Sequence, residues 1–407
     1  MLLNEKDSAL RARAARVVPG GMWGHQNAAG LPEGYPQFFE SAEGCRIRDV
    51  NGREYVDFMC SWGPIIVGHR HPAVERAARA QAERGDCQNG PGEAMVELAE
   101  LLVATIAHAD WVQFAKNGTD ATTTCATLAR AATGRRKLLV ARGSYHGAVP
   151  WCSPSLVGVT SEDRAHIIQY DYNDAESLES AAAQAGDDLA GVLVAALRHD
   201  FGRAQELPEP EFARRLRALC DASGAALILD DVRAGFRLHS GGSWEGIGIR
   251  PDLSAWSKAI ANGYPLAAVA GTDRFRDAAT KLYATGSFWT AAVPMAAGIA
   301  TIRTLLDEDG IATMVSSGQM LRDGLSRLAQ RHGIAVHHSG PVQMPLMQFD
   351  GDADFALGNA FCSAALAAGA YFHPKHNMFL SAAHGRKDIE LALQAADAGF
   401  AAVARRG

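Results

Sequence analysis

The chain has 407 residues, with 39 Lys and Arg against 45 Asp and Glu and a formal net charge of −6. At roughly 150 residues per domain, this length admits two or three domains, or one large catalytic unit with a smaller cap. A composition of 48% hydrophobic and 21% charged residues is that of a globular protein rather than a disordered or coiled-coil one, and the acidic balance argues against a nucleic-acid binder, which needs clustered cations.

The opening stretch, MLLNEKDSALRARAARVV, is charged and lacks an apolar signal core. No apolar run reaches the ~18 residues of a membrane span. The expectation is a cytoplasmic protein with no membrane partner. In CRIRDVNGREYVDF (45–58), Asn51-Gly52 sits between alternating segments and predicts a hairpin with a type I′ turn. From residue 70 the pattern alternates. Helical stretches (74–84, 93–107, 119–132) are interleaved with short apolar runs: WVQFA (111–115), KLLVA (137–141), GVLVAAL (191–197) and AALIL (225–229). Strands alternating with helices predict crossover units and a mostly parallel sheet. Beyond residue 291 the chain reads as mostly helical, with short strands in 332–338 and 346–350. The expected division is an N-terminal segment 1–48 packing with the small domain, a large domain 49–290, and a small α+β domain 291–407.

Seven cysteines, at 45, 60, 87, 125, 152, 220 and 362, form no C-x-x-C pair. They read as buried small apolar residues rather than disulfides or a zinc ribbon. No His, Asp or Glu cluster has ligand spacing, so no metal is expected.

Three segments carry chemistry. AALILDDVRAGF (225–236) is an apolar run ending in two carboxylates. In a parallel sheet, ligands lie beyond the carboxyl ends of strands, so Asp230 is either a ligand contact or a turn cap paired with Arg233 or Arg237. Lys258 lies among apolar residues in PDLSAWSKAIANGYPLAAVAG (251–271). Desolvation would lower its pKa and leave a nucleophilic neutral amine; otherwise it is a snorkelling surface lysine. KNGTDATTTCATLARAATG (116–134) follows a strand and opens a helix, so Asn117, Gly118 and Thr119 either receive a phosphate or simply cap the helix. Tyr145, in GSYHG (143–147), also follows an apolar run and could stack on a flat ring. Together, a phosphate site, a stacking ring, a strand-end Asp and an isolated Lys match the needs of pyridoxal phosphate.

These segments, with RVVPGGMWG (16–24), SWGPIIVGHRHPAV (61–74), TGSFWTAAVPMAAG (285–298) and FLSAAH (379–384), resemble in this order the class III pyridoxal-phosphate aminotransferases of fold type I, in the glutamate-1-semialdehyde aminomutase-like subgroup. The resemblance implies an α/β large domain with a seven-stranded, mostly parallel sheet and a smaller α+β domain. It implies Lys258 as the Schiff-base lysine, Asp230 as partner of the pyridinium nitrogen, and Asn117, Gly118 and Thr119 as the phosphate loop. It implies Val232 and Tyr145 on opposite ring faces. It also implies that Ser287 reaches the phosphate of a neighbouring subunit in a homodimer. Trp23, His25, Trp62 and Trp289 are the substrate candidates. The chain departs from the family at the run 193–201, where no Glu-Pro pair follows the strand. Residues 22–26 lack the usual Arg or Ser, Phe288 and Trp289 replace small residues, and FHPKHNM (372–378) lacks the acidic gate residue. The expected activity is amino transfer from an amine or amino acid to a carbonyl acceptor, not on glutamate semialdehyde. The acceptable donors would be an ω-amine, an amino sugar, or an aromatic or β-amino acid. A mutase or epimerase, and a silent protein keeping only the fold, are the alternatives.

Overall fold

The computed structural model describes residues 5–406. In chain order the elements begin with α1 (Glu5–Val17), β1 (Phe39–Glu43), β2 (Arg46–Asp49), β3 (Glu54–Asp57), α2 (Pro72–Arg84), α3 (Glu93–Thr105), β4 (Trp111–Ala115), α4 (Gly118–Thr133) and β5 (Lys137–Ala141). There follow β6 (Ile167–Tyr170), α5 (Ala175–Ala185), β7 (Leu189–Ala195), α6 (Pro210–Ser223), β8 (Ala226–Asp230), β9 (Leu253–Trp256), β10 (Ala267–Gly271) and α7 (Arg276–Lys281). The chain ends with α8 (Ala292–Asp307), α9 (Gly310–Arg331), β11 (Val336–Ser339), β12 (Leu346–Phe349), α10 (Ala356–Ala367), β13 (Ala370–Tyr371) and α11 (Arg386–Ala404).

The chain forms two units. One comprises Pro72–Asp200 and Gln205–Ile311; the other comprises the segment ending at His71, Phe201–Ala204 and the chain from Ala312. This grouping differs from the expected limits at 48/49 and 290/291 for two physical reasons. Strand β3 is hydrogen-bonded to β2 and, in parallel, to β13, so it stays with the terminal segments. Helix α8 packs on α2 and α3 and stays with the larger unit.

The larger unit is built on a seven-stranded sheet in the order β4-β10-β9-β8-β7-β5-β6. Strands β6, β5, β7, β8 and β9 are parallel, while β10 runs antiparallel to both β4 and β9. Two reversals leave β4 pointing the same way as β9. Every residue of β7 and β8 is buried, as expected of strands covered on both faces. Helix α4 packs across β7, β9 and β10 and presents Ala121, Cys125, Leu128 and Ala129 to the core. The small side chains let the helix lie close to the sheet. The segments leaving β4, β5, β7, β8 and β9 therefore emerge on one edge, and those that carry Asn117, Tyr145, Asp230 and Lys258 are among them.

The smaller unit contains the sheet β1-β2-β3-β13, the β11–β12 hairpin and helices α1, α10 and α11. The predicted β2–β3 hairpin forms, with Ile47 opposite Tyr55, but its turn is not type I′. That turn needs positive φ at both central residues, and here only Gly52 is left-handed, at φ 85°. The Gly52 N–H donates to the Asp49 carbonyl (2.9 Å). The Asp49 carboxylate accepts from the N–H groups of Asn51 (2.9 Å) and Arg53 (3.0 Å). A side-chain cap thus replaces the second left-handed residue. The cysteines also differ in part from expectation. Five are buried, but Cys152 is half-buried and Cys87 exposed; all seven are free.

Candidate active site

Asp230 closes β8. Its Oδ2 lies 2.7 Å from His146 Nδ1, and its Oδ1 accepts from the Val232 N–H at 3.1 Å. Since a carboxylate can only accept, the imidazole carries a proton on Nδ1. The adjoining Asp231 has a different task. The hydroxyl and N–H of Ser243 both donate to its carboxylate, tying down the loop that follows. Burial raises the Asp231 pKa to about 6. Of the two carboxylates at the strand end, one pins a loop and the other faces the imidazole.

Lys258 follows β9 in a tight 3-10 turn, at φ 47°, with Asn262 also left-handed at φ 47°. Its amine is pushed down to about 7. Burial is the main cause, Arg233 and Arg237 add to it, and Asp230 opposes it. The lowered pKa favours the neutral amine, which is the state a nucleophile needs. Lys258 itself is half-buried.

Helix α4 begins with a reciprocal cap. The Asn117 side chain accepts from the Asp120 N–H (3.1 Å), and the Asp120 carboxylate accepts from the Asn117 N–H (3.1 Å). This box uses the Asn117 side chain and leaves the N–H groups of Gly118 and Thr119 at the open helix end. The glycines here are steric requirements. A Cβ at Gly118 would stand 2.7 Å from Val232 Cγ1, and one at Gly147 would stand 2.7 Å from Thr119 Oγ1. Thr122 Oγ1 donates to the His146 carbonyl at 2.6 Å. The helix start, the 143–147 loop and the segment after β8 are therefore interlocked. Tyr145 lies on this loop, 44% exposed, with Arg233 and Asp230 close enough to shift its pKa in opposite directions.

Sequence reasoning missed His146 and one further residue. His199 lies just beyond the carboxyl end of β7, and its pKa is driven well below the usual value by burial and then by Arg233 and Lys258. Its position four residues past a buried strand was the available signal. Ser287 is exposed, beside Phe288 at 65% exposure. Trp289 folds back over Gly286 and packs, half-buried, against the core of the larger unit.

The remaining candidates belong to the smaller unit. Trp23 is 68% exposed. Trp62 is half-buried and stands on three consecutive left-handed residues, Cys60, Ser61 and Trp62, at φ 47°, 55° and 66°. Its ring meets His25 at 4.7 Å, His376 at 4.9 Å and His373 at 5.4 Å between centroids, each edge-on.

The larger unit's donor set fits pyridoxal phosphate. A carboxylate suits a pyridinium, an amine of lowered pKa suits an aldehyde, and the open end of a sixteen-residue helix suits a dianion. His146 Nε2 and the Ser144 hydroxyl are buried at this loop without a hydrogen-bond partner. Among the described residues, no group of three or more His, Cys, Asp or Glu could hold a metal ion, and no helix is long and apolar enough to cross a membrane.

A strand-end carboxylate and a half-buried lysine on this sheet are the marks of a pyridoxal-phosphate transferase of fold type I. Residues 32–384 match the family model of class-III aminotransferases, and the chain belongs to that family: it is a pyridoxal-phosphate-dependent aminotransferase. It is 49% identical over 396 residues to an aminopentol aminotransferase of Sphingopyxis macrogoltabida, covering 97% of this chain and 94% of that protein. It is 34% identical to a glutamate-1-semialdehyde 2,1-aminomutase of Syntrophobacter fumaroxidans, covering 99% of each. The structure of the Sphingopyxis sp. MTA144 FumI protein in its PLP internal aldimine form superposes with a TM-score of 0.97 at 48% identity, covering 98% of this chain and 96% of that one.

Proposed function

We propose that the chain moves an amino group from a hydroxyl-bearing amine without an α-carboxylate to a carbonyl acceptor. The observation that carries this reading is the placement of Lys258, just after β9, on the strand edge that also holds Asp230 at the end of β8. When bound, pyridoxal phosphate supplies an electron sink for the carbon that loses its proton. The residues of the chain do the rest. Asp230 holds a proton on the ring nitrogen, and His146 orients Asp230. Gly118 and Thr119 receive the phosphate, with Asn117 shaping the helix end. Val232 and Tyr145 bracket the ring. Lys258 would hold the aldehyde through its amine and would serve as the base that moves the substrate proton.

Two observations support the substrate class. Residues 22–26 and 372–378 lack an arginine to clamp a carboxylate, and the relative at 49% identity is named for an aminopentol. Trp23, His25 and Trp62 remain candidate contacts. A second copy of the chain is part of the proposal, because Ser287 lies in a segment where Tyr283 and Phe288 are 91% and 65% exposed. Seven free thiols support a reducing compartment, and so the cytoplasm.

The test is visible absorption of the purified protein with pyridoxal phosphate, followed by a panel of amines and amino acids. A band that bleaches with amino polyols and ω-amines, and not with α-amino acids, is expected. Bleaching by glutamate semialdehyde alone, with no keto product from a second substrate, would replace transfer by mutase chemistry.

A further inference from the structure

The smaller unit contains a cavity of about 350 Å³ between β12, α10 and the 372–378 loop. Its wall includes Leu346, Met347, Phe349, Phe361, Phe372 and Met378, all buried except Met347, which is half-buried. Among the described residues, no lysine, arginine or glutamate lines it, and Asp352 is its one carboxylate.

The polar side chains of the wall are taken up by their neighbours. The Asp352 oxygens accept from the Leu357 N–H (2.9 Å) and the Gly358 N–H (2.8 Å) at the start of α10. His337 is bonded to Asp350 (2.9 Å) and to Gln348 (3.3 Å). The Gln348 amide donates in turn to the Gly202 carbonyl (3.2 Å), and His373 Nδ1 accepts from the Lys375 N–H (3.0 Å). A water needs about two to four polar partners to settle in a cavity, and an apolar cavity left empty lowers stability in proportion to its volume. The space therefore suits an uncharged, apolar guest, and its volume is that of a small-ligand pocket.

One side of the wall is strained. Phe355 lines the cavity in the left-handed region, at φ 62°, where an aromatic residue is a costly outlier. Its ring is half-buried. The Lys375 ammonium stands 4.8 Å from the ring centroid, a cation–π contact, and the glycine at 202 makes room for the ring, since a Cβ there would lie 3.0 Å from Phe355 Cζ. Gly351 and Ala353, on the same stretch of wall, are exposed, so this is the side that meets solvent.

We propose that the cavity is a binding site for a small, uncharged, apolar molecule, and that the Phe355 ring is the gate past which it enters. Every residue of the site belongs to the smaller unit, so the proposal stands apart from the amine-transfer reading.

The test uses the holoenzyme and two probes that share a ring but not a charge. Calorimetry is expected to show binding of indole, and binding of indole-3-acetate that is weaker by roughly tenfold or more. Indole binding is expected to weaken by a similar factor in Ala353→Trp, on the exposed stretch of wall, and in Met347→Trp, and to persist in Lys258→Ala. Absence of indole binding, equal binding of the charged probe, or binding that survives both tryptophan variants with melting curves unchanged overturns the site. Loss of binding in Lys258→Ala places indole at the catalytic edge and overturns it equally. The gate is read by fluorine NMR line shapes of 5-fluoroindole. Exchange with solvent is expected to quicken several-fold in Phe355→Ala and, to a lesser extent, in Lys375→Met, which frees the ring from its cation. An exchange rate unchanged in Phe355→Ala overturns the gate.

Discussion

The His146 imidazole and the Asp230 carboxylate are joined by a 2.7 Å hydrogen bond at the carboxyl end of β8. With the Val232 N–H on its other oxygen, both oxygens of Asp230 are held. The His146 backbone is anchored in turn by Thr122 of α4. One chain of contacts therefore runs from α4 through His146 to Asp230.

Loss of His146 should show as loss of orientation rather than loss of fold. His146→Phe leaves the carboxylate with one partner, and a hydrogen bond to a charged group contributes about 1.5–3 kcal/mol. Cofactor affinity and kcat should fall about tenfold to a hundredfold, with the absorption band displaced. His146→Asn, which keeps a donor, should recover part of the loss. Equal kinetics in both variants and the unchanged enzyme would remove His146 from the machinery.

Lys258→Ala should abolish the covalent attachment and the proton transfer together. General base catalysis alone contributes about 10²–10⁴-fold, so turnover should fall at least a thousandfold. The protein should still bind the cofactor through the α4 end and Asp230. Visible spectroscopy after dialysis checks this: the coloured cofactor should leave the variant and stay with the unchanged enzyme.

The lowered Lys258 pKa makes two pH predictions for the cofactor-free protein. Capture of pyridoxal phosphate should rise through about pH 7 and level off, because the amine titrates at about 7 rather than 10.5. Stability should follow linkage. Between about 7 and 10.5 the unfolded lysine holds a proton that the folded one lacks, so stability rises with pH there. Asp231 acts in the opposite sense. Its folded pKa is raised from 3.8 to about 6, so its contribution is full below 3.8 and is lost as pH rises through about 6. Their joint effect is a shallow minimum in melting temperature between about 6 and 7. Lys258→Met should remove the rising limb and leave the falling one.

The catalytic edge was legible in the sequence because its signals are local. An apolar run ending in Asp230, a Gly-Thr helix start after WVQFA and a lysine among apolar residues each mark a strand end without reference to distant parts. What was not legible depends on packing. Strand β10 reads AAVAG and has no strand-like bulk; only pairing with β4 and β9 makes it one. The I′ turn was misjudged because Asn51-Gly52 does not reveal that Asp49 would cap the loop. The role of Trp289 was equally hidden, since only the folded chain shows it lying on Gly286. His199 and the His373–Trp62–His376 group come together through contacts between residues far apart in sequence.

The turn that carries Trp62 gives the last prediction. A left-handed conformation costs an L-residue about 1–2 kcal/mol, and three such residues stand in a row. Asp57, 1% exposed, offsets this strain. Its Oδ1 accepts from the N–H groups of Met59 (2.8 Å) and Cys60 (3.0 Å), and its Oδ2 lies 2.9 Å from His69 Nε2. Asp57→Ala removes all three partners and should destabilise the protein by about 3–5 kcal/mol. Ser61→Gly relieves strain at φ 55° and should stabilise it by about 0.5–1 kcal/mol, less than the full strain because glycine loses more entropy on folding. The double variant should recover that same increment if the turn is where the strain sits. Urea denaturation of the four proteins checks it. An Asp57→Ala protein as stable as the unchanged one would mean that the turn is held by Gly63, Ile65 and their backbone bonds to Met59 and Cys60, not by the carboxylate.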